Sequence, residues 1–352
     1  MIQGITYNNR VGEALDSVLA GIDHTQLVVI ADENTAQLVV PRLGSTALAQ
    51  APVITIAAGE ENKNLDTLAQ VWRQLGELGA TRNSMVVNVG GGMVTDLGGF
   101  AAATFKRGMG FINCPTSLLA AVDASVGGKT GIDFNGLKNE VGVFAMPRHT
   151  IISSCFLDTL PTPEIKAGYA EMLKHAMLHS HELFTQLLHA DFDAAFNTLE
   201  FLKLIEQSVA IKQHFVEQDP HDNGARHALN LGHTVAHAFE SLALKRGKPI
   251  HHGYAVAWGL VAETYLSHKL FAFPSTDLYA LATFVLSNYG AFHITCDDYD
   301  DLIAFMTHDK KSRNGEINCA LLSICGQVHC DATISPDHMK EALDIYRDLM
   351  HI

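Results

Sequence analysis

Two histidines four residues apart could bind a metal ion or move protons. Residues 229–240 read LNLGHTVAHAFE, a segment that we predict to be helical. His233 and His237 share one face of this helix, because residues four apart are neighbours on an α-helix. The spacing is compatible with two metal ligands, and also with one ligand and one acid–base group. The residues alone leave the role of His237 open.

Further residues of metal-binding type lie on two other predicted helices. His251 and His252 open one of them, and Glu171, in AGYAEMLKHA, lies on a largely apolar one. A glutamate and two histidines, with a water or substrate completing the shell, form the usual ligand set of an open catalytic zinc site. The helical stripe of Glu171, His175 and His179 could bind a metal by itself. We interpret that stripe instead as a solvated polar face.

Several basic and amide side chains stand beside glycines or near the metal-type residues. Arginine binds phosphate and carboxylate oxygens bidentately, and lysine acts as a compact charge. Convergence of such groups would bind a small polyanion. The candidates are Arg107, Lys129, Lys138, Asn139, Lys174, Lys212, Arg226, Lys310 and Lys311.

A glycine-rich turn follows one apolar segment. Residues 84–99 read SMVVNVGGGMVTDLGG, in which a strand runs into three glycines and a helix. Glycine allows close approach to a phosphate, and the N-terminus of a helix offers unsatisfied N–H donors. The turn lacks the G-x-G-x-x-G spacing, so it predicts a phosphate or dinucleotide cradle without the standard fingerprint. Asp96 could be a ligand contact or could stabilise the start of the helix.

The elements that must position these residues change character along the chain. Apolar segments at 26–32, 53–59, 84–92, 111–117 and 151–155 are typical of buried strands, and 65–78 has helical periodicity. Alternating strands and helices predict a mostly parallel sheet. Helices then predominate at 163–188, 198–217, 229–245, 252–269, 278–289 and 337–350, with a hairpin near 319–330. We therefore expect an α/β domain at 1–158 and a mainly α-helical domain at 159–352.

Composition and charge narrow the functional class. The chain has 352 residues, of which 47% are hydrophobic, and its net charge is -14. This charge argues against nucleic-acid and anionic-membrane partners. Six cysteines without C-x-x-C spacing are typical of a reducing compartment, and no signal sequence or membrane span is evident. We expect a cytoplasmic enzyme.

The motifs together resemble the dehydroquinate synthase family of sugar-phosphate cyclases. The similarity runs from about Gly59 to Lys311 and is carried by GGGMVTDLGGFAAATFKRG, PTSLLAAVDASVGGKTGID, LKNEVG, AGYAEMLKH and LNLGHTVAHAFE. The resemblance implies a Rossmann-like N-terminal domain that binds NAD and a helical C-terminal domain that binds zinc or cobalt. It also implies a homodimer and a small anionic sugar-phosphate substrate.

The resemblance also assigns residues. The implied metal ligands are Glu171, His233 and His252. The positions that would line the substrate cavity are Asp123, Lys129, Asn139, Lys174, Lys212, Arg226 and His237. Arg107 would come from the partner subunit, and either Lys310 or Lys311 would reach the substrate. The implied NAD contacts are Asp32, Asn34, Glu60, Lys63, Gly91, Gly92, Asp96, Thr116, Ser117, Lys129, Lys138 and the stretch from Phe156 to Thr159.

The implied reaction converts 3-deoxy-D-arabino-heptulosonate 7-phosphate to 3-dehydroquinate and phosphate through transient oxidation, elimination, reduction and aldol closure. Alternatives are another sugar-phosphate cyclase, a metal-dependent polyol dehydrogenase and a non-enzymatic metal-stabilised binding protein. Tyr254 stands where the family usually has a glutamate after His-Gly, Asp222 replaces a usual glutamate and Ser117 a usual threonine. If that glutamate oriented a ligand, the orientation must differ in this chain.

Overall fold

The computed structural model describes residues 4–307 and 316–352. The described chain divides into two compact units. The first comprises residues up to 161 together with 194–209, and the second comprises 162–193 and 210–352. The sequence-based division placed 194–209 in the second domain. The structure places these residues in the first unit, where Ser154 donates a hydrogen bond to the carbonyl of Thr198 (2.8 Å).

The first unit alternates strands and helices. Its elements are β1 (Gly4–Tyr7), α1 (Val11–Ala20), β2 (Leu27–Asp32), α2 (Glu33–Leu38), β3 (Val53–Ile56), α3 (Leu65–Glu77), β4 (Met85–Gly90), α4 (Gly92–Thr104), β5 (Gly110–Pro115), β6 (Lys129–Phe134), β7 (Leu137–Phe144) and β8 (His149–Ile152). The five strands expected from the sequence are β2, β3, β4, β5 and β8, so those predictions are confirmed.

A parallel sheet forms the centre of the first unit. Among the described residues it has six strands in the order β1-β8-β5-β4-β2-β3, all paired in parallel. Alternate side chains of β2 point to opposite faces, as the period of a strand requires. Val28 and Ile30 pack with α3 and α4, whereas Val29 packs with α1. Both faces are therefore covered, and the expected α/β class is confirmed.

Strands β6 and β7 form an antiparallel hairpin that the sequence analysis did not predict. Its turn is Asn135-Gly136, with φ of 51° and 79°. An Asn-Gly pair with positive φ at both positions is the preferred turn of a tight hairpin. The local sequence therefore contained the signal for this element.

Asp16 on α1 anchors the loop before β3. Its carboxylate accepts hydrogen bonds from the hydroxyls of Ser45 and Thr46 and from the backbone N–H groups of Thr46 and Ala47, at 2.5–3.0 Å. Burial opposes the charge, but these hydrogen bonds hold the pKa of Asp16 well below its usual value. The ionised carboxylate is therefore the form that stabilises this loop.

Replacing Asp16 with asparagine should lower the free energy of unfolding by about 1 kcal/mol at pH 7, a value reduced by solvent screening. A carboxyl whose pKa is lowered on folding stabilises above its unfolded pKa, and that contribution disappears as pH falls through the folded pKa. Urea titrations from pH 7 to pH 3 should therefore show a constant difference between the two proteins that begins to narrow only below the unfolded pKa of about 3.9. Asp23→Asn, at an exposed position, is the control; equal losses at both sites would contradict the assignment.

The second unit is mainly helical, as expected. Its elements are α5 (Thr162–His179), α6 (His181–Leu187), the end of α7 (Leu199–Gln218), α8 (His233–Lys245), α9 (His252–Phe271), α10 (Ser275–Tyr289), α11 (Tyr299–Thr307), β9 (Ile317–Ile324), β10 (Gln327–Ile334) and α12 (Pro336–Leu349). Strands β9 and β10 pair as the predicted hairpin. No helix in the described part of the chain has the length and apolarity needed to cross a membrane.

Two predicted helices have different limits in the structure. The helix expected at 163–188 is interrupted at Ser180, whose hydroxyl accepts a hydrogen bond from the Leu183 N–H and so caps α6. The helix expected from residue 229 begins at His233, after a 3-10 turn at Ala225–Asn230. Gly232 separates the two with a φ of 80°, a conformation that glycine adopts without strain.

Candidate functional site

Three helices of the second unit bring a carboxylate and two imidazoles together. Glu171 on α5 is fully buried, His233 is the first residue of α8, and His252 is the first residue of α9. The Nε2 atoms of His233 and His252 each lie 3.4 Å from Oε1 of Glu171. The structure thus groups the three residues that the resemblance implied as metal ligands.

The second nitrogen of each imidazole faces an acceptor. Nδ1 of His233 lies 3.1 Å from the carbonyl oxygen of Leu231, and Nδ1 of His252 lies 3.2 Å from Oε2 of Glu240. Carbonyl and carboxylate oxygens only accept, so these contacts suit imidazoles that carry a proton on Nδ1 and offer Nε2 to a metal. In the neutral tautomers both Nε2 lone pairs then face the Glu171 carboxylate, an arrangement that a cation would stabilise.

The separations in this cluster fit a metal ion. Zinc bonds of 2.0–2.1 Å in tetrahedral geometry place neighbouring ligand atoms about 3.4 Å apart. The two Nε2–Oε1 separations have this value. Oε1 of Glu171 is buried, and no donor among the described residues lies in hydrogen-bonding geometry to it. The donor set and its spacing therefore suit a divalent metal with one position left for substrate.

The surrounding charges favour the ligand state of two of these groups. Burial opposes ionisation of Glu171, but Lys174 and His233 hold its pKa well below the usual value. Burial and Lys174 lower the pKa of His233 to about 4. Burial opposes a charge on His252, but Glu240 and Glu171 raise its pKa to about 10. A metal would compete with that proton, because a ligand histidine binds through a neutral imidazole.

Lys174 and His237 lie beside this cluster. Lys174 is buried one turn after Glu171, and its Nζ pairs with Oε2 of that carboxylate. The ring of His237 lies 5.5 Å from that of His233 and 6.1 Å from that of His252. His237, Glu240 and His252 also place their ligand-type atoms within 4.8 Å of one another. The geometry permits either role for His237, and its role as a proton-handling group stays a prediction.

The stripe on α5 is not a solvated face. His175, one turn after Glu171, is fully buried, whereas His179 is exposed at the end of the helix. The interpretation of this stripe as polar surface was therefore wrong for Glu171 and His175. Helix α5 packs with α9 inside the second unit, and this packing buries residues that a sequence pattern assigns to solvent.

Two other cationic candidates are buried in the second unit. Lys212 lies on α7 and Arg226 on the 3-10 turn before α8, both at most 5% exposed. The loop before Arg226 is fixed by the carboxylate of Asp219, which accepts hydrogen bonds from the N–H groups of Asn223, Gly224 and Arg226. A buried arginine on a fixed backbone is suited to bind an anion.

Many predicted NAD contacts lie at the carboxyl ends of the parallel strands. Asp32 is the last residue of β2 and caps α2, the helix on which Asn34 lies. Gly91 and Gly92 follow β4, and Thr116 and Ser117 follow β5. Ligands of open α/β sheets bind at this edge. A Cβ atom at Gly91 would lie 3.4 Å from Oγ of Ser117, so glycine keeps this space open. The predicted NAD contacts from Phe156 to Thr159 lie in a 3-10 turn after β8.

A buried lysine organises the same edge. Nζ of Lys63, a residue 3% exposed, lies 2.9 Å from Oδ2 of Asp96 in the first turns of α4 and 3.2 Å from Oε1 of Glu60. Burial opposes the ammonium charge, but Asp96 and Glu60 raise the pKa of Lys63. Three predicted NAD contacts therefore form one charged cluster.

The remaining candidates of the first unit are more accessible. Asp123 is half-buried in the π-turn Ala120–Ala124, and Lys129 is exposed at the start of β6. Lys138 and Asn139 are exposed on β7, and Arg107 is exposed before Gly108. Lys310 and Lys311 lie outside the described residues. The predicted site residues are thus distributed over both units.

Tyr254 does not occupy the position of an outer partner to the metal ligands. Its ring packs 5.1 Å from Tyr289 and 5.9 Å from Trp258. The carboxylate that contacts Nδ1 of His252 belongs to Glu240, to which the sequence analysis gave no role. Glu240 lies two turns after His233 on the same helical face, and that spacing could have identified it.

Comparison with known proteins gives consistent matches along the chain. The family model for the 3-dehydroquinate synthase N-terminal region matches residues 53–167, and that for the C-terminal region matches 168–312. A 3-dehydroquinate synthase from Parabacteroides distasonis is 46% identical over 95% of both chains. The enzyme of that name from Pyrococcus furiosus is 36% identical over 90% of this chain and 91% of its own.

Solved structures with lower identity show the same fold. The 2-epi-5-epi-valiolone synthase from Streptomyces hygroscopicus subsp. jinggangensis 5008, with NAD⁺ and Zn²⁺ bound, has a TM-score of 0.83 and 22% identity, covering 99% of this chain and 97% of its own. A 2-deoxy-scyllo-inosose synthase complexed with carbaglucose-6-phosphate, NAD⁺ and Co²⁺ has a TM-score of 0.79 and 24% identity, covering 96% and 95%. A probable glycerol dehydrogenase from Sinorhizobium meliloti 1021 has a TM-score of 0.67 and 14% identity, covering 99% and 97%.

Proposed function

Because this chain belongs to the 3-dehydroquinate synthase family, we propose that it converts 3-deoxy-D-arabino-heptulosonate 7-phosphate to 3-dehydroquinate and phosphate. The reaction involves no net oxidation, because the carbon oxidised first is reduced later. The observation that supports this function most directly is the buried cluster of Glu171, His233 and His252, with Lys174 paired to the same carboxylate.

We propose zinc or cobalt and NAD as the two cofactors. Glu171, His233 and His252 would hold the metal, and the glycine turn after β4 with the Lys63 cluster would hold the dinucleotide. When bound, the metal would lower the pKa of a substrate hydroxyl and polarise a carbonyl, while NAD would accept and return a hydride. The related cyclases solved with NAD⁺ and Zn²⁺ or Co²⁺ support this assignment.

The chain's own residues then bind charge and hold protons. Lys174 is buried against Glu171, so its ammonium lies where negative charge on a substrate oxygen would need stabilisation. His237 lies on the same helical face as His233, with the two rings 5.5 Å apart, and is proposed to be the proton-handling group. Arg226 and Lys212 supply buried positive charge for the phosphate or carboxylate.

The first unit supplies further groups of this kind. Five residues of the first unit match the family's motif positions and are proposed to contact substrate or NAD. These residues are Arg107, Asp123, Lys129, Lys138 and Asn139. The domain roles follow: the first unit binds NAD, and the second binds the metal and most of the substrate. Neither alternative enzyme class is favoured, because the cyclase and dehydrogenase structures match at 14–24% identity, against 46% for the synthase relative.

We also propose that the enzyme is a cytoplasmic homodimer. The β6–β7 hairpin exposes a group of apolar side chains, and such patches are typical of protein interfaces. The exposed apolar side chains of the hairpin are Phe134, Leu137, Val141, Val143 and Phe144. The proposal of a cytoplasmic location rests on the scattered cysteines, which fit a reducing compartment. Light scattering would test the dimer, and a mass of one chain at micromolar concentration would contradict it.

The function can be tested by phosphate release. Purified protein is treated with chelator and given 3-deoxy-D-arabino-heptulosonate 7-phosphate with and without catalytic NAD, and with and without zinc or cobalt. We expect release when both metal and NAD are present. Release from glucose 6-phosphate or sedoheptulose 7-phosphate, with none from the heptulosonate, would contradict the proposal.

A further inference from the structure

Each of the two helices that carry a histidine of the metal cluster also carries a glutamate that contacts the other helix. Helix α8 begins with His233 and carries Glu240 seven residues later, and Oε2 of Glu240 contacts Nδ1 of His252 on α9. Helix α9 begins with His252 and carries Glu263 eleven residues later. Glu263 reaches back to the start of α8, where its two oxygens accept hydrogen bonds from the N–H groups of Gly232 (2.7 Å) and Val235 (3.0 Å).

Glu263 replaces the cap that α8 lacks. The N-cap residue of α8 is Gly232, which has no side chain to accept a hydrogen bond. The first N–H groups of a helix need such an acceptor, and a negative charge at this end also interacts favourably with the helix dipole. Glu263 is fully buried, so its charge acts in a region from which water is excluded. It therefore fixes the turn that carries His233.

Glu240 fixes His252 in a different way. Its carboxylate accepts from Nδ1, which leaves the Nε2 lone pair directed at Oε1 of Glu171, 3.4 Å away. A carboxylate on the outer nitrogen fixes the tautomer and the ring orientation of a ligand histidine. His233 receives the corresponding contact from the carbonyl of Leu231, so His252 depends on a side chain where His233 depends on the backbone.

The two helices also approach closely at their crossing. A Cβ atom added at Gly259 of α9 would lie 2.0 Å from the carbonyl oxygen of Gly232. The start of α8 is therefore in direct backbone contact with α9, between the positions of His252 and Glu263. Movement of either helix would displace both carboxylate contacts together.

We propose that Glu240 and Glu263 are positioning residues that act as a reciprocal pair. Each histidine helix supplies the carboxylate that holds the metal-binding histidine of the other helix, so the two ligands are set in one geometry before the metal binds. The inference takes the identity of the metal cluster from the proposed function. What it adds is that both glutamates raise the affinity of the cluster for its metal.

The first test measures metal affinity in Glu240→Gln and Glu240→Ala by competition between the protein and a chromophoric chelator for zinc and cobalt. We expect Kd to rise about tenfold in the glutamine variant and up to about a hundredfold in the alanine variant. The melting temperature of the chelator-treated protein should also fall, because these variants remove the contact between Glu240 and His252 in the metal-free state, so the metal Kd is the deciding readout. An unchanged Kd in both variants would overturn the role of Glu240. A loss of metal-free stability without loss of affinity would do the same.

The second test uses Glu263→Gln, which keeps the size of the side chain and removes its charge. We expect this variant to raise the metal Kd and also to lower the melting temperature of the metal-free protein, because the start of α8 loses its anionic cap. The absorption spectrum of the cobalt-loaded variant should shift, since the position of His233 changes. A native spectrum and a native Kd would overturn the role of Glu263.

Glu164→Gln is the matched control. Oε1 of Glu164 on α5 lies 3.4 Å from Nδ1 of His251, the residue before His252, so this variant makes the same chemical change one position away. Its metal Kd should remain native, and an equal loss there would refute the specific pairing. Failure of the wild-type protein to bind one metal per chain would also refute the inference. Native metal binding without heptulosonate turnover would refute only the proposed function.

Discussion

Replacing Glu171 with alanine should abolish stoichiometric binding of zinc or cobalt. The carboxylate supplies the anionic ligand of the cluster, and its Oε1 is the atom that both histidine Nε2 atoms face. Without it, the two imidazoles remain beside the ammonium of Lys174 with no anionic ligand among them, and that ammonium repels a cation. Metal analysis after dialysis should find far less than one ion per chain. Turnover should fall about a thousandfold, which corresponds to roughly 4 kcal/mol of lost stabilisation.

Two companion variants separate ligand loss from structural damage. Glu171→Gln keeps the volume of the side chain and should also lose the metal, because the amide carries no charge. Glu164→Ala removes a partly exposed glutamate from the same helix and should retain the metal. Retention of one metal per chain by both Glu171 variants would exclude Glu171 as a ligand.

Replacing Lys63 with methionine should weaken NAD binding and destabilise the protein. The substitution leaves Asp96 and Glu60 close together without the ammonium between them. Removal of one partner of a buried pair costs about 3 kcal/mol, because the remaining charge stays buried. The two carboxylates would then also repel the pyrophosphate of NAD. Urea denaturation should show the stability loss, and calorimetry should show an NAD Kd raised about tenfold or more.

Lys245→Met is the control for this prediction. Lys245 pairs with Asp301, but both side chains are about half exposed, and exposed ion pairs contribute little to stability. The variant should retain native stability and native NAD affinity. An NAD affinity that is native in Lys63→Met would remove the Lys63 cluster from the dinucleotide site, whatever its effect on stability.

The strands of the first unit were predictable because burial on both faces makes them continuously apolar. The segments that became β2 and β4 are rich in valine and isoleucine and end in turn residues, which is a local signal. The β6–β7 hairpin was missed although Asn135-Gly136 carried a local turn signal. The break at Ser180 was missed for a similar reason: serine is a preferred N-cap, but the apolar pattern continues across it.

The metal cluster was less accessible to sequence reasoning. Spacing alone groups His233 with His237, whereas the structure also groups His233 with His252 through the packing of α8 on α9. No periodicity within one helix predicts a contact between two helices. The choice of ligands therefore came from family resemblance. The burial of His175 also depends on packing between helices, so it was not predicted. The spacing on α8 places Glu240 on the face of His233, but its contact with His252 on α9 again depends on that packing.

Counting phosphate and NADH in the same reaction tests most directly whether the enzyme returns the hydride to its substrate. The metal-loaded enzyme receives an excess of 3-deoxy-D-arabino-heptulosonate 7-phosphate over a trace of NAD, and phosphate release is followed together with absorbance of NADH. We expect many phosphates per NAD and no net NADH, because the hydride is returned in each turnover. One NADH for each substrate consumed, with turnover ending when NAD is exhausted, would contradict it and indicate a simple dehydrogenase.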